Sequence, residues 1–303
     1  MSQPSLPSLR LIFFTMQPPM LANALIEAFE TLGQQVLLVV TASGDKSQPA
    51  RAYQSHLANA HRKVDLLISS HVDQLAAMLS GLAPDLIFVS GFPYRFPPSL
   101  LALPRLGCVN AHASLLPKYR GPRPLFWQFM NNEAQTGMTI HRMDANFDTG
   151  PILVQRSLDI AADDDLRSLW PKLLDLEVSM LPEMLAAVAA GAKGTLQASV
   201  GASYAPFPVE DDYRLDWVRP ASHLLRQIRG SGWKGARATI DGQIVTVRRA
   251  HVIHSIGAVA PGSLLACSTK EMLIQTGEDA LLITEYTSGD QIGSGLRAFP
   301  GQQ

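Results

Sequence analysis

Residues 9–41 read LRLIFFTMQPPMLANALIEAFETLGQQVLLVVT, and this stretch sets the architecture expected for the chain. The apolar run at residues 9–14 is typical of a strand buried on both faces. Residues 19–33 have the apolar spacing of an amphipathic helix that stops at a glycine, and a second apolar strand covers residues 35–41. A strand, a helix and a strand at this spacing predict a βαβ unit with parallel strands.

Similar apolar runs follow along the first two thirds of the chain. We predict further strands at residues 64–69, 85–90, up to His112, 139–143 and 152–160, and helices at residues 71–82, 125–132 and 163–190. The run Asp163-Asp164-Asp165 is expected to cap the last of these helices. The pattern predicts an α/β fold built on a Rossmann-like, mostly parallel sheet.

A join rich in glycine, alanine, serine and proline, at residues 191–208, indicates a domain boundary. Beyond it we predict a helix at residues 221–229 and strands at 236–241, 243–253, 262–267, 272–276 and 280–286. Several short strands with turn signals predict a small β barrel. The expected domains are therefore a larger domain at residues 1–200 and a smaller domain at residues 201–303.

The chemistry-bearing residues lie in residues 107–150, GCVNAHASLLPKYRGPRPLFWQFMNNEAQTGMTIHRMDANFDTG. Asn110 and His112 are two positions apart in a strand, so they project from the same face. An imidazole can take a proton from an attacking amine, and the carboxylate of Asp148 can fix its tautomer. The amide of Asn110 can donate to the oxygen of a tetrahedral intermediate. The three side chains predict acyl transfer to an amine without a metal.

The motif NAHASLLPKYRG, followed by TGMTIHRMDANFDTG, resembles the signature of the 10-formyltetrahydrofolate-dependent formyltransferases, the family of methionyl-tRNA formyltransferase. The resemblance assigns catalysis to Asn110, His112 and Asp148, and it covers nearly the whole chain. Residues 214–217, RLDW, resemble the segment that begins the C-terminal domain of this family. The resemblance implies a formyltransferase fold followed by an OB-like barrel.

The formyl donor implied by the resemblance is 10-formyltetrahydrofolate, which serves as a co-substrate. The family's pterin lies against the loop that follows the strand at residues 85–90. In that loop Gly91 lets the backbone approach a flat ring, and Phe92 or Tyr94 can form a wall; without the resemblance, a proline-rich turn with packed aromatic side chains explains the loop equally well. The resemblance also assigns Asp144 and Phe147 to the donor site.

The acceptor amine is less clearly marked, because three regions differ from the methionyl-tRNA pattern. Residues 14–18, FTMQP, replace a Gly-Thr-Pro turn, and residues 41–63 form a shorter insertion whose early basic residues are Lys46 and Arg51. Arg51 is the best candidate there for a phosphate contact. Residues 206–303 contain 10 basic and 10 acidic side chains, although a tRNA-binding surface usually has a basic excess.

We therefore favour a small-molecule amine as acceptor, such as an amino sugar nucleotide or a biosynthetic amino compound. Methionyl-tRNA is the alternative, supported by the two-domain layout, by the OB-like end and by the pair Arg248-Arg249 as a local basic patch. Hydrolysis of 10-formyltetrahydrofolate, with water in place of the amine, is a further alternative for the same three residues.

The composition is that of an ordinary globular protein. Of 303 residues, 47% are hydrophobic and 17% are charged, and the net charge of −1 provides no overall field for DNA or another polyanion. Two cysteines are too few for a disulfide framework, and no apolar run is long enough to span a membrane. We expect a cytoplasmic protein, and the sequence leaves its oligomeric state open.

Overall fold

A computed structural model describes residues 6–42, 64–69, 71–254, 259–268 and 270–288. Its helices and strands are β1 (Arg10–Thr15), α1 (Pro19–Thr31), β2 (Gln35–Ala42), β3 (Asp65–Ser69), α2 (Leu75–Leu79), β4 (Leu86–Ser90), α3 (Pro98–Leu101), β5 (Cys108–His112), α4 (Pro124–Met130), β6 (Gln135–Arg142), β7 (Ile152–Asp159), α5 (Leu166–Ala189), α6 (Ala221–Ser231), β8 (Ala236–Ile240), β9 (Gln243–Ile253), β10 (Leu264–Cys267), β11 (Met272–Gln275) and β12 (Ala280–Ser288). Lys46 and Arg51 lie outside the described residues.

The chain divides into two compact units. The first contains the described residues up to 122 together with 135–159 and 172–205, and the second contains 123–134, 160–171 and the described residues from 206 onward. Within the described part of the chain, no helix combines the length and the apolarity needed to cross a bilayer.

The first unit contains a seven-stranded sheet in the order β3-β2-β1-β4-β5-β6-β7. Strands β1 to β5 pair in parallel, whereas β6 and β7 are antiparallel to their neighbours. The predicted α/β class with a mostly parallel sheet is confirmed. The predicted helix at residues 71–82 was wrong in extent: α2 covers only Leu75–Leu79 between two 3-10 turns, the second of which contains the poor helix former Gly81.

The strand order reverses between β1 and β4, which pair with each other. After β1 the chain adds β2 and β3 toward one edge of the sheet, and after β4 it adds β5, β6 and β7 toward the other edge. Thr15 and Ser90 are in register at their carboxyl ends. Ligands of open α/β sheets bind beyond such a reversal point.

The backbone N–H of Met16 donates to the carbonyl of Gly91 at 3.0 Å, and a Cβ on Gly91 would lie 2.7 Å from Cγ of Gln17. Glycine is therefore required where these two segments meet.

Central strands of the first unit are buried on both faces, which explains their continuous apolar sequences. On β1, Phe13 and Phe14 are fully buried, and the ring of Phe13 lies 5.8 Å from that of Phe88 on β4. Cys108 is also buried, and its burial raises the pKa of the thiol to about 12. This thiol therefore packs in the core.

Helix α5 begins directly after the acidic run. The Asp165 carboxylate accepts hydrogen bonds from the backbone N–H groups of Arg167 and Ser168 at 2.7 and 3.0 Å. The predicted cap is therefore confirmed for Asp165. Further along the helix, in the first unit, Glu177 is 2% exposed and its Oε1 atom has no hydrogen-bond partner among the described residues.

The second unit contains an antiparallel five-stranded sheet in the order β10-β11-β12-β9-β8. Alternating side chains of β8 and β9 face inward and pack against helix α6, whose Leu224 and Ile228 are buried. The core is completed by Val245, Val247, Ile274 and Ile283 among others. The predicted smaller, C-terminal β domain is confirmed.

Candidate active site

The structure brings Asn110, His112 and Asp148 together at the end of β5. Strand β6 runs antiparallel to β5, with His141 in register with Asn110. Asp148 lies in the turn after β6 with φ of 55°, a left-handed backbone conformation that few residues other than glycine adopt. The two strands and this turn therefore place four polar side chains within reach of one another.

The Asp148 carboxylate is the centre of the group. Its Oδ1 accepts a hydrogen bond of 3.1 Å from Nδ2 of Asn110 and lies 3.4 Å from Nε2 of His141. Its Oδ2 accepts a hydrogen bond of 2.7 Å from the backbone N–H of Gly121 and lies 3.5 Å from Nδ1 of His112. Both carboxylate oxygens are thus oriented by groups on three separate segments.

The environment of Asp148 stabilises its charged form. Burial raises the pKa of a carboxyl group, but the charge of His112 and the hydrogen bonds of His141 and Gly121 outweigh that effect and hold the pKa of Asp148 well below its usual range. Asp148 is therefore an anion at neutral pH. A buried anion beside an imidazole stabilises the imidazolium that forms when the ring takes up a proton.

His112 is buried, and each of its ring nitrogens faces an acceptor. Nε2 lies 2.7 Å from the backbone carbonyl of Tyr119, and Nδ1 faces the carboxylate of Asp148. An imidazolium donates to both partners, whereas a neutral ring donates to only one. For His112 to take a proton from an amine through Nε2, the hydrogen bond to Tyr119 has to break.

His141 is a site residue that the sequence reasoning missed. It is 2% exposed, and its Nδ1 lies 2.8 Å from the carbonyl of Arg142, so this nitrogen carries a proton. In the neutral ring Nε2 accepts from Nδ2 of Asn110 at 3.2 Å, whereas in the imidazolium Nε2–H donates to Oδ1 of Asp148 at 3.4 Å. Only strand pairing could have pointed to His141, because His141 lies on β6 directly opposite Asn110 on β5.

Beside a neutral His141, Asn110 uses both amide hydrogens inside this group, one toward Asp148 and one toward His141. The role predicted from the sequence, donation to an oxyanion, requires one of these two hydrogen bonds to break when substrate binds. Within the described residues, no three histidine, cysteine, aspartate or glutamate side chains are grouped as metal ligands.

The loop predicted to face the pterin follows β4. Gly91 has φ of 68° and closes the turn after Ser90. Phe92 is only 9% exposed, and its ring packs edge-on against Phe14 at 5.3 Å, as the packed-aromatic interpretation of this loop requires. Tyr94 is 42% exposed, and its ring lies 5.4 Å from that of Phe92. Of the two aromatic candidates, Tyr94 is the one available to a ligand.

The two other predicted donor residues lie in the loop before Asp148. Asp144 accepts hydrogen bonds from the backbone N–H of Asn146 at 2.9 Å and from the hydroxyl of Thr149 at 2.7 Å, so it holds the loop together. The ring of Phe147 lies 4.9 Å below the guanidinium of Arg95. This contact joins the two predicted donor loops, and Arg95 was not among the candidates from the sequence.

Comparison with known proteins gives matches over both parts of the chain. Residues 9–185 match the formyl transferase family, and residues 209–299 match the formyl transferase C-terminal domain. The methionyl-tRNA formyltransferase of Caldanaerobacter subterraneus subsp. tengcongensis is 37% identical over 223 residues, which are 73% of this chain and 72% of the relative.

Two solved structures share the fold. HypX from Aquifex aeolicus in complex with tetrahydrofolic acid has a TM-score of 0.69 and 20% identity; the match covers 92% of this chain and only 44% of HypX. The N-formyltransferase from Helicobacter canadensis, in complex with folinic acid and dTDP-3-aminofucose, has a TM-score of 0.68 and 17% identity, with 93% of this chain and 100% of that chain covered.

A buried imidazole oriented by a carboxylate at the end of β5 is suited to proton transfer during catalysis, and the family matches specify the reaction. The chain belongs to the formyltransferase family. It is therefore an enzyme of formyl transfer, which confirms the activity predicted from its sequence.

Proposed function

We propose that this enzyme transfers the formyl group of 10-formyltetrahydrofolate to a primary amine, with Asn110, His112 and Asp148 as its catalytic residues. The observation that carries the proposal is the buried Asp148 carboxylate, which contacts both other side chains within 3.1 to 3.5 Å. The donor agrees with the folate compounds in the names of the two related structures.

The reaction joins the amine nitrogen to the formyl carbon and breaks the bond from that carbon to N10 of the folate. The attacking amine loses one proton and N10 gains one, so the protons balance without an added acid or base. His112 carries that proton between the two nitrogens, while the negative charge of Asp148 stabilises the ring when it is protonated. Asn110 donates an N–H group to the oxyanion of the intermediate, where charge develops.

The donor binds beside Gly91 and Tyr94, with Phe147 on the opposing loop. Tyr94 supplies an exposed aromatic ring for the pterin, and Arg95 stacks on Phe147 at 4.9 Å to hold the two loops together. The position is supported by the general rule that ligands of open α/β sheets bind where the strand order reverses. Phe92 shapes this region from the core rather than contacting the ligand.

The acceptor is a small-molecule amine, such as an amino sugar nucleotide. The 10 basic and 10 acidic side chains of residues 206–303 give this C-terminal third no basic excess for a nucleic acid. Methionyl-tRNA is the second candidate, and the 37% identity to a methionyl-tRNA formyltransferase over 73% of the chain favours it.

The test measures tetrahydrofolate release from 10-formyltetrahydrofolate with no acceptor, with amino sugar nucleotides and with methionyl-tRNA. Release that depends on an amino sugar nucleotide supports the proposal in full. Release that depends on methionyl-tRNA, and that weakens steeply with salt, replaces the first acceptor by the second. Formate release that is equal with and without every acceptor overturns the transferase proposal in favour of hydrolysis.

A further inference from the structure

One side chain bridges the two loops that carry the signature motifs. The Oε1 atom of Gln197 accepts hydrogen bonds from Nε and Nη2 of Arg120 at 3.0 and 2.7 Å. Its Nε2 atom donates to the backbone carbonyls of Asp148 and Gly150, both at 2.8 Å. Gln197 thus uses both ends of its amide, and each end holds a different loop.

The turn held by Nε2 has little freedom of its own. Asp148 has the left-handed φ of 55°, which is strained for a residue with a side chain. A Cβ on Gly150 would lie 1.9 Å from the carbonyl oxygen of Arg142, so the backbone there is packed against β6. Two hydrogen bonds from a single amide fix both carbonyls of this turn, and with them the direction in which the Asp148 side chain leaves the backbone.

The loop held by Oε1 contacts the same carboxylate from the other side. Arg120 directly precedes Gly121, whose N–H donates to Oδ2 of Asp148 at 2.7 Å. Gln197 therefore orients the backbone that carries the Asp148 carboxylate and, through Arg120, the N–H group that binds it. A shift of Gln197 moves both ends of that hydrogen bond relative to His112.

Gln197 belongs to a segment, residues 197–205, that lies between the two regions matching the formyl transferase family. Ser203 accepts at its carbonyl from the N–H of Arg120 at 2.9 Å and at its hydroxyl from the N–H of Tyr119 at 2.8 Å. The N–H of Ala205 donates to the carbonyl of Arg120 at 2.6 Å. The segment is packed along the motif loop of the first unit rather than merely joining two domains.

We propose that Gln197 is a positioning residue for formyl transfer, which sets the geometry of Asp148 toward His112 by coupling the Arg120 loop to the Asp148–Gly150 turn. This inference rests on the catalytic role proposed for Asp148. Because a displacement of about 1 Å at a reacting group costs about 10²-fold in rate, loss of the coupling lowers kcat more than it changes either KM.

The variant Gln197→Glu distinguishes a positioning role of Gln197 from a role in which it only attaches residues 197–205 to the Arg120 loop. The new carboxylate still accepts both hydrogen bonds of Arg120, but it places an oxygen against the carbonyls of Asp148 and Gly150 in place of a donor. We expect a folded protein whose melting temperature is lowered by about 5 °C, a kcat reduced about 10²-fold and a donor KM changed less than about threefold. Gln135→Ala is the matched control, since the exposed side chain of Gln135 donates to the equally exposed Asp159 at 3.0 Å, and it should retain full activity.

A Gln197→Glu enzyme with kcat within about twofold of the wild type would overturn the inference, because Gln197 would then only attach the segment. If this variant fails to fold, Gln197→Met replaces it: slow turnover of folded protein supports positioning, and normal turnover refutes it. Wild-type enzyme that forms no N-formyl product refutes the proposed function itself. The two failures are therefore distinguishable.

Discussion

Nδ1 of His112 lies 3.5 Å from Oδ2 of Asp148, and the same oxygen accepts a hydrogen bond of 2.7 Å from the N–H of Gly121. The short bond fixes the carboxylate, while the longer contact leaves the imidazole room to approach it. Contacts of this kind often shorten only when substrate is bound. On the other side of the ring, the hydrogen bond to the Tyr119 carbonyl is the interaction that substrate has to replace.

Replacing either member of this pair should abolish most of the activity without unfolding the protein. For His112→Ala and Asp148→Asn we expect kcat to fall about 10²- to 10⁴-fold, because proton transfer loses its carrier or the charge that supports it. Steady-state kinetics at saturating donor, with a melting curve for each variant, measures the effect. His251→Ala, at an exposed strand position, is the matched control. Near-normal turnover of folded His112→Ala would contradict the assignment.

His141 should matter less than His112, because it acts through Asn110 and Asp148. Removing its ring in His141→Ala leaves one amide hydrogen of Asn110 without its acceptor, and we expect kcat to fall about tenfold. A glutamine side chain can again accept from Asn110, so His141→Gln should recover part of the loss. Equal activities of the alanine and glutamine variants would show that the hydrogen bond to Asn110 does not contribute.

In the donor loop, Phe92 should contribute to stability and Tyr94 should contribute to binding of the donor. Phe92→Ala removes a buried ring and should lower the free energy of unfolding by about 3 kcal/mol. Tyr94→Ala alters an exposed ring and should change stability by less than about 1 kcal/mol. The same variant should raise the KM for 10-formyltetrahydrofolate about fivefold, since an aromatic stacking contact contributes about 1 kcal/mol. An unchanged donor KM in Tyr94→Ala would remove Tyr94 from the donor site.

Glu177 should make the protein less stable as the pH rises. Burial raises the pKa of its carboxyl from an ordinary value of 4.5 to about 7, against a smaller opposing effect of a hydrogen bond with Ser90. Between these two values the folded state binds the proton that the unfolded state has released, so the free energy of unfolding falls as the pH rises. This decrease in the free energy of unfolding is complete above about pH 7 and amounts to about 3 kcal/mol.

Urea unfolding of Glu177→Gln at several pH values tests this prediction. The amide is neutral throughout, so the variant should match the wild type near pH 4.5 and become more stable than it by up to about 3 kcal/mol above pH 7. Glu183→Gln, on the same helix but 58% exposed, is the control and should show little such change. A difference between Glu177→Gln and wild type that is constant with pH would refute the prediction.

Most of the fold was predictable because the central strands are apolar on both faces and are bounded by clear turn residues. The βαβ unit and the cap at Asp165 depend on neighbours in the sequence, so local patterns were sufficient. The short helix Leu75–Leu79 was not predictable to its ends, since the apolar spacing continues through the two 3-10 turns that flank it.

The site was only partly predictable, for a different physical reason. Asn110, His112 and Asp148 lie in recognisable motifs, whereas His141 acquires its role from strand pairing and Gln197 from hydrogen bonds to residues 49 and 77 positions away. Neither contact produces a periodic pattern in the sequence. The core position of Phe92 likewise depends on Phe14, which lies far away along the chain.

The most direct test of formyl transfer by this site is a single-turnover experiment with 10-formyltetrahydrofolate labelled with carbon-13 in the formyl group. With excess wild-type enzyme and the preferred amine, we predict that the label appears on the amine nitrogen as one formyl group per tetrahydrofolate formed, and that Asp148→Asn slows this step about 10²-fold or more. Label recovered only as formate, or equal rates for wild type and Asp148→Asn, would contradict the account.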